Sequence, residues 1–596
     1  MVTDQLQKLT SKKYRIGGLE NVARAIASMP LTERVVFFLL ALVFAVSTFI
    51  LVAKVSKELT IPIPASGGSL TEGIIGIPRF INPLLAISDA DRDLTTLIYS
   101  GLMRVSGDGT LIHDLAESHS VSENGLEYTF RLRDDIQFHD GTPITADDVM
   151  FTMRKAQDPN LKSPKRASWE GVVAEKIDEK IVLIKLKQPY PPFLENTTLG
   201  ILPAHIWKDV DVEQFTFSQY NIEPIGSGPY QIKKIDRSSG GIPLSYTLAP
   251  FGDFVLGESH LSRLVFTFYK SEDALIDGYE RGEVSTLNSV SPHRALALKA
   301  LGVRVETVPL PRVFAVFLNQ NEVPAFTYRE VRAALAQATD RDRIVAEVLS
   351  GYGVPLTSPL PESLFGQIPS ALSTSTDFAA HIEEARGLLE KNGWKPSAED
   401  GVMQKTVKKE KVRLEFSIAT SNSEELKSAA KIIKENWERI GAKVTLNFFD
   451  TSDLNQNVIR PRSYDALFFG EIIGRDLDLF AFWHSSQRND PGLNVALYTN
   501  IKADKLLENA RALSTLEERL KKYKEFAQEV EKDTPAVFVY SPDFIYVVPR
   551  EMQGVDLRPV TIPSDRFLNI TEWYTEVDRV WKALVPEKTE ALAQSL

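Results

Sequence analysis

The sequence predicts an α/β fold with a partly parallel sheet, preceded by one helix long enough to cross a membrane. The first observation is a strand–helix–strand unit: apolar residues alternate at 414–420 and again at 444–448, and between them they recur at helical spacing up to Gly441. Such a unit is typical of parallel strands covered by helices. The second observation is a run of nineteen uncharged residues at 35–53, which as a helix spans about 30 Å of hydrocarbon.

The apolar run predicts an uncleaved signal anchor, with residues 35–53 in the lipid bilayer. Residues 1–34 carry six Lys or Arg against three acidic residues, which favours a cytoplasmic N-terminus and an extracytoplasmic main body. A cleaved signal peptide is one alternative, but it has a shorter apolar stretch and a small-residue cleavage site, which residues 52–60 lack. A buried core helix is the other alternative, and so long an uncharged run disfavours it.

Composition narrows the class of protein. The chain of 596 residues exceeds what one hydrophobic core supports, so two or three lobes are expected. The net charge of −11, with a basic N-terminal segment, leaves an acidic body that disfavours nucleic acid as a partner. The absence of cysteine excludes disulfides, thiolate nucleophiles and cysteine metal sites.

No catalytic or metal-binding motif emerges from the sequence. The eight histidines are scattered, and neither HExxH nor GxSxG nor a P-loop is present. The GxG of Gly226-Ser-Gly228 is followed by Pro229, which cannot donate to a phosphate, so a turn entering a strand is the better interpretation. We therefore predict no enzyme activity, no catalytic residues, no bound metal and no cofactor.

Local patterns predict several further elements. Alternating apolar residues indicate strands at 128–132 and 182–186. The sequences Thr145-x-x-Asp148 and Thr327-x-x-Glu330 are capping boxes that each predict a helix start. The segment 58–71 is rich in Pro, Gly and Ser and predicts a tether after the anchor.

Seven ordered blocks of sequence resemble one protein family. They include LAESHSVSENGLEYTFRLRDDIQFHDGTPITADDVMFTMRK at 115–155, FINPLLAISDADRDLTTLIYSGLMRVSGDG at 80–109, LPAHIW at 202–207, GSGPYQI at 226–232 and EARGLLEKNGW at 384–394. The family is that of extracytoplasmic solute-binding proteins of the peptide/nickel (oligopeptide/dipeptide-binding) type, which serve ABC importers.

The resemblance implies a bilobed periplasmic-binding-protein-like fold of the class II type, in its three-region peptide-binding variant. It also implies a division of the chain into successive parts: cytoplasmic leader 1–33, transmembrane anchor 34–54, linker 55–75, first part of lobe I 76–105, inserted domain II 106–222, second part of lobe I 223–312, domain III 313–538 and C-terminal part of lobe I 539–596. The resemblance also implies that the lobes trap the ligand by hinge closure.

The resemblance further implies ligand-binding residues. The family's amine-binding acid falls on Asp476, with Asp478 as the alternate, although Arg475 directly before them weakens the assignment to a peptide amine. Tyr99, in the segment YSGL with Gly101, is expected near the cleft. Trp483 is expected either to stack on the ligand or to fill the lobe, and Trp169 to reach the ligand's far end.

The predicted function is a single-pass, membrane-anchored receptor that captures peptides and delivers them to ABC transporter permease subunits, acting as a monomer. Other solutes, such as a nickel chelate or an oligosaccharide, remain open, as does a ligand-sensing receptor. A hydrolase of cell-wall peptides is a third class, disfavoured by the missing nucleophile. The outer compartment is either a periplasm or the cell surface.

Overall fold

The computed structural model describes residues 26, 28–361, 378–475, 477–513, 515–558 and 560–581. The chain divides into two compact units, one made of residues 1–65 with 576–596 and the other of residues 66–575.

The α-helices are, in chain order, Leu31–Leu59, Asp89–Ile98, Ala146–Gln157, Arg166–Trp169, Phe193–Asn196, Ala204–Trp207, Val212–Phe215, Glu272–Glu280, Pro292–Ala300, Arg329–Gln337, Arg341–Glu347, Phe378–Lys391, Glu424–Arg439, Thr451–Asp453, Phe480–Trp483, Ile501–Ala512 and Leu516–Asp533. The strands of the N-terminal half are β1 Thr60–Pro64, β2 Gly67–Ile75, β3 Met103–Val105, β4 Leu111–His113, β5 Ala116–Val121, β6 Glu127–Leu132, β7 Val173–Asp178, β8 Ile181–Lys185, β9 Tyr230–Arg237, β10 Pro243–Pro250, β11 Leu261–Tyr269 and β12 Thr286–Asn288. Those that follow are β13 Val305–Pro309, β14 Arg312–Leu318, β15 Gly353–Pro355, β16 Lys395–Pro396, β17 Met403–Val407, β18 Glu410–Arg413, β19 Glu415–Ser421, β20 Lys443–Phe449, β21 Ala466–Ile472, β22 Ala536–Val547 and β23 Val577–Trp581.

The first unit contains the predicted anchor. Its helix, Leu31–Leu59, includes a 22-residue stretch, Leu31–Val52, that is long and apolar enough to cross a membrane and is not buried. The helix leads directly into β1, which pairs antiparallel with β23. The predicted tether at 58–71 is therefore wrong, because β1 and much of β2 occupy it. The prolines of β1 are compatible with a strand that has only one partner.

Most of the predicted local elements are present in the second unit. The strands predicted at 128–132 and 182–186 are β6 and β8, paired antiparallel in the sheet β5-β6-β8-β7. The capping box of Thr145 and Asp148 opens the helix Ala146–Gln157, as predicted. The second predicted box is wrong: the N-cap is Tyr328, because the hydroxyl of Thr327 donates instead to the carbonyl of Pro324 at 2.7 Å.

A twelve-stranded sheet forms the frame of the second unit. Its strands follow the order β20-β19-β21-β14-β22-β12-β2-β11-β10-β9, and β13 and β15 also pair with β22. Strand β19 is parallel to both β20 and β21, and the helix Glu424–Arg439 connects β19 to β20. The strand–helix–strand unit predicted from the sequence is thereby confirmed.

Strand β22 joins two lobes of this unit. Its residues 536–540 pair with β14, and its residues 543–547 pair with β13. We call residues 66–309 with 543–575 the first lobe, and residues 312–540 the second lobe. Hydrophobic cores fill each lobe, around residues such as Phe130 in the first and Trp437 in the second. The chain crosses between the lobes at 310–311 and at 541–542, a two-strand connection typical of a hinge.

Candidate ligand-binding cleft

Among the residues that the structure describes, one ion pair crosses between the lobes. The guanidinium of Arg475, which follows β21 in the second lobe, donates to the carboxylate of Asp565 in the first lobe at 2.8 Å. That carboxylate also accepts from the amide and hydroxyl of Thr561, at 2.8 and 2.6 Å. Because both charged side chains are mostly buried, this pair holds the lobes together in the observed arrangement.

A second cross-lobe contact involves Asp478. Its carboxylate pairs with Arg511 of the same lobe at 2.7 Å and accepts from the hydroxyl of Tyr190, in the first lobe, at 3.3 Å. The guanidinium of Arg511 also lies 4.2 Å from the ring centre of Phe480. The structure thus gives the alternate amine-binding acid a cationic partner within its own lobe. Asp476, the favoured acid, lies outside the described residues.

One cavity in the cleft, which we call the first cavity, measures about 270 Å³ and is lined by both lobes. Tyr99 and Gly101 line it together with Trp169, which lies in a distant part of the sequence. The hydroxyl of Tyr99 is buried and has no hydrogen-bond partner among the described residues, and burial raises its pKa. A Cβ atom at Gly101 would lie 2.7 Å from the backbone of Thr198, so only glycine allows the two backbone segments to approach this closely.

The helix Asp89–Ile98 positions one wall of this cavity. A capping box of Ser88 and Asp91 fixes its start. Behind it, the fully buried Arg566 pairs with Asp93 of the helix at 2.5 Å and with Glu72 of β2 at 3.1 Å. This buried network links the helix to the central sheet, and removing one partner would leave an uncompensated buried charge.

Cationic side chains distinguish the first cavity. It is lined by four Lys or Arg and three Asp or Glu: Arg92, Arg104, Lys165, Arg475, Asp114, Glu195 and Asp565. Arg104 pairs with Asp114, and Arg475 pairs with Asp565. Although much of Lys165 is solvent-exposed, desolvation around its ammonium group and the nearby charge of Arg92 lower its pKa. Two adjacent cations in a cavity favour an anionic ligand group.

A larger cavity, which we call the second cavity, measures about 760 Å³ and lies beside the two crossings between the lobes. Leu310, Arg312, Pro542 and Asp543 line it at those crossings. The helix Asp89–Ile98 and the segment 562–565 contribute residues to both cavities, so the two cavities adjoin.

The structure therefore separates the predicted site residues. Tyr99 and Trp169 meet at the first cavity. Trp483 is fully buried and packs among Phe317, Tyr498, Phe526 and Phe538. The prediction of ligand contact by Trp483 is corrected, because its ring fills the second lobe, which was the other predicted role.

Sequence reasoning missed several groups in the cleft. Arg92 belongs to the recognised block 80–109 and Lys165 lies four residues before Trp169, yet nothing in the local pattern marks their side chains as facing a cavity. The partner of Arg475 was also missed, since Asp565 lies ninety residues away. The available signal was Ser88 as the N-cap of a helix. Once the start of that helix is fixed, the helical repeat places Arg92 on the same face as Tyr99.

Two lobes, two connecting crossings and polar cavities between the lobes define a binding protein that closes around a solute. Comparison with known families then identifies the family. The model of the bacterial extracellular solute-binding proteins, family 5 (middle region), matches residues 110–492. The chain belongs to this family.

Individual relatives agree with this assignment. The oligopeptide-binding protein AppA of Bacillus subtilis is 28% identical over 519 residues, covering 86% of this chain and 92% of AppA. The probable D,D-dipeptide-binding periplasmic protein DdpA of Escherichia coli is 24% identical and covers 88% of this chain and 96% of DdpA.

Solved structures share the fold. AppA of Bacillus subtilis in complex with a nonapeptide superposes with a TM-score of 0.67 at 26% identity, covering 86% of this chain and 99% of that one. NikZ of Campylobacter jejuni in complex with Ni(L-His) gives a TM-score of 0.67 at 26% identity, covering 85% of this chain and 99% of that one. The resemblance seen in the sequence and the bilobed α/β fold are both confirmed.

Proposed function

We propose that this protein is a membrane-anchored extracytoplasmic receptor that captures peptides between its lobes and delivers them to an ABC transporter permease. Membership of a solute-binding family supports capture of a solute. The names of relatives that bind oligopeptides or dipeptides favour a peptide. The exposed apolar helix supports single-pass anchoring through residues 35–53, with residues 1–33 in the cytoplasm.

The adjacent cations Arg92 and Lys165 in the first cavity carry the proposal. A peptide's terminal carboxylate accepts charge-assisted hydrogen bonds, which are about twice as strong as neutral ones. The unpartnered hydroxyl of Tyr99 supplies a further donor in the same cavity. The remainder of an extended peptide then leads past the helix Asp89–Ile98 toward the second cavity.

The domain division also remains a proposal, with lobe I formed by 76–105, 223–312 and 539–596, domain II by 106–222 and domain III by 313–538. The four-stranded sheet β5-β6-β8-β7 falls wholly within the inserted part, which supports this division. Closure then moves domain III against the other two, and the pair of Arg475 and Asp565 forms between them.

Native mass spectrometry of the full-length chain in detergent tests the proposal. We expect a co-purified peptide, or, after its removal, binding of a tetraalanine probe with a free carboxylate that is clearly tighter than binding of its C-terminal amide. A mass matching no peptide, together with no binding of tetraalanine, would contradict it. Ni(L-His) added to the same preparation tests the alternative of a nickel chelate.

Lys165→Gln provides the residue-level test. It is expected to weaken tetraalanine much more than the amide, because only the free peptide presents a carboxylate charge to the cavity. The matched control is Lys391→Gln, at the exposed end of the helix Phe378–Lys391, which is expected to leave both affinities unchanged. Equal losses for both peptides would mean that Lys165 has a structural role.

A further inference from the structure

The second cavity is acidic. Six carboxylates line it, against one arginine and one histidine: Asp89, Glu272, Glu347, Glu424, Glu425, Asp543, Arg312 and His293. Its walls come from both lobes and from the crossings between them. Both its size and its charge therefore differ from those of the first cavity.

As far as the structure describes the chain, four of these six carboxylates form no direct ion pair, and Arg312 is the cation whose charge acts on Asp89 and Glu425. Glu347 pairs with Arg343, and Glu424 pairs with Lys427. In the part of the chain that the structure describes, no ion pair within 4.0 Å involves Asp89, Glu272, Glu425, Asp543 or Arg312. Four carboxylates thus face one guanidinium, and the cavity keeps an excess of negative charge that a cation would relieve.

Buried polar atoms in the cavity wall also lack partners. The side chain of Tyr352 is more than nine-tenths buried, and its hydroxyl has no hydrogen-bond partner among the described residues. Oδ1 of Asp543 and Nε of Arg312 are also buried atoms without a hydrogen-bond partner among the described residues, although the two side chains as a whole are only partly buried. Because buried polar atoms are normally satisfied, these atoms independently indicate a ligand that completes the site.

The chemistry of the walls favours an organic cation over a metal ion. Within the described residues, no group of three acidic or histidine side chains is arranged to hold a metal. Aromatic rings of Phe314, Tyr352 and Phe544 line the cavity beside the carboxylates. Rings and dispersed carboxylates together suit an ammonium or guanidinium on an aliphatic stem.

We propose that the second cavity binds a cationic side chain of the solute, so that this receptor selects peptides that contain lysine or arginine. The inference rests on the proposed function and adds the class of peptide. Glu425, which accepts from the hydroxyl of Tyr540 at 2.7 Å, and Asp543, beside the crossing, form the negative wall. The first cavity then receives the anionic end of the same ligand.

Competition among defined peptides tests this inference on the full-length chain in detergent. The probes are tetraalanine peptides with one alanine replaced in turn by lysine or by its uncharged isostere norleucine. We expect the lysine peptides to bind about tenfold more tightly at one or two positions, as a charge-assisted contact requires. Spermidine, measured by thermal shift, serves as a cation without a peptide backbone.

Two isosteric variants localise the effect. Asp543→Asn and Glu425→Gln are each expected to reduce the lysine preference by about tenfold and to leave the norleucine peptides unchanged. Glu383→Gln, on an exposed face of the helix Phe378–Lys391, is the matched control and is expected to keep the preference. Glutamine at 425 retains an acceptor for Tyr540, so this variant preserves the local hydrogen bond.

The outcomes separate the two proposals. Equal binding of lysine and norleucine peptides, or a lysine preference that survives both variants, overturns the acidic cavity as a cation site while peptide capture stands. Binding of spermidine that is lost in Asp543→Asn, without binding of any peptide, supports the cation site and overturns peptide capture. Failure of every peptide and of spermidine to bind overturns both.

Discussion

The two cavities of the cleft differ in charge, in closure and in the degree to which their polar atoms are satisfied. The first cavity contains the cations Arg92 and Lys165 and is closed by the cross-lobe pair of Arg475 and Asp565. The second cavity is acidic, and no described ion pair spans it. An ion pair between the lobes lies at the first cavity. At the second cavity, we expect the ligand to neutralise the negative charge.

This difference assigns separate tasks to the two ends of the cleft. The ion pair at the first cavity stabilises the closed arrangement even when no ligand is bound. A cavity with uncompensated like charges opposes closure until an opposite charge enters. An extended solute with a negative and a positive end therefore stabilises the closed arrangement better than a solute with either charge alone.

Reversing the charge of the first cavity should have the largest effect. Arg92→Glu is expected to raise the Kd of a tetrapeptide with a free carboxylate about 100-fold, because it exchanges an attractive contact for a repulsive one. Isothermal titration calorimetry measures the change, and the C-terminal amide of the same peptide should lose far less. Similar losses for both peptides would contradict an anion-binding role of the first cavity.

Removing the cross-lobe pair should have the next largest effect. Arg475→Gln is expected to weaken ligand affinity about tenfold, since the closed state loses a mostly buried ion pair. The radius of gyration of the ligand-free protein, from X-ray scattering, should increase. Arg386→Gln, which removes a surface pair with Glu390, is the matched control, and an equal effect there would remove the distinction between the cavities.

The acidic cavity should make the free energy of unfolding depend on pH. Burial raises the pKa of Asp543 from 3.8 to about 6, with the Tyr352 hydroxyl as its neighbour. The carboxyl group of Asp543 therefore binds its proton more tightly in the folded protein than in the unfolded chain. Its contribution to the free energy of unfolding is greatest at acidic pH and is lost as the pH rises through about 6.

Asp543→Asn should remove this dependence. At pH 7.5 the variant is expected to be more stable than the natural protein by about 1 kcal/mol, an amount reduced by partial solvent exposure, and at pH 4.5 the difference should shrink to about a third of that. Chemical denaturation at the two pH values measures it. A variant less stable than the natural protein at pH 7.5 would show that Asp543 has a stabilising partner.

Removing the anchor should have the smallest effect on binding. The residues that line both cavities lie between Ile75 and Leu568. Deletion of residues 1–57 is therefore expected to change peptide Kd by less than about twofold, while uptake by cells falls because the receptor is no longer concentrated at the permease. A truncated protein that bound no peptide would contradict the independence of the cleft from the anchor.

Elements with short-range signals could be predicted from the sequence, and the charge of the cavities could not. The helix Ala146–Gln157 followed from a capping box, and β6 followed from alternation over a few residues. The acidic cavity joins Asp89, Glu425 and Asp543, which are hundreds of residues apart and meet only through the order of strands in the sheet. No local pattern contains that information.

The outcomes at residues 58–71 and at Trp483 have a common physical origin. The segment 58–71 was interpreted by composition, and the prolines of β1 were counted against a strand although a strand with one partner tolerates them. For Trp483, its position after the acidic segment allows either ligand contact or packing in the lobe, and the turn of helix Phe480–Trp483 decides for packing by directing its ring into the lobe. In both cases a tertiary partner decided the outcome.

The ladder of β1 and β23 provides a built-in optical reporter. Thr60, directly after the apolar helix, lies opposite Trp581, whose ring is about half exposed. The other six tryptophans of the seven in the chain are buried. In lipid vesicles, a quencher attached to the headgroups would therefore dim chiefly this one indole, so intrinsic fluorescence can follow insertion of the helix without any added dye.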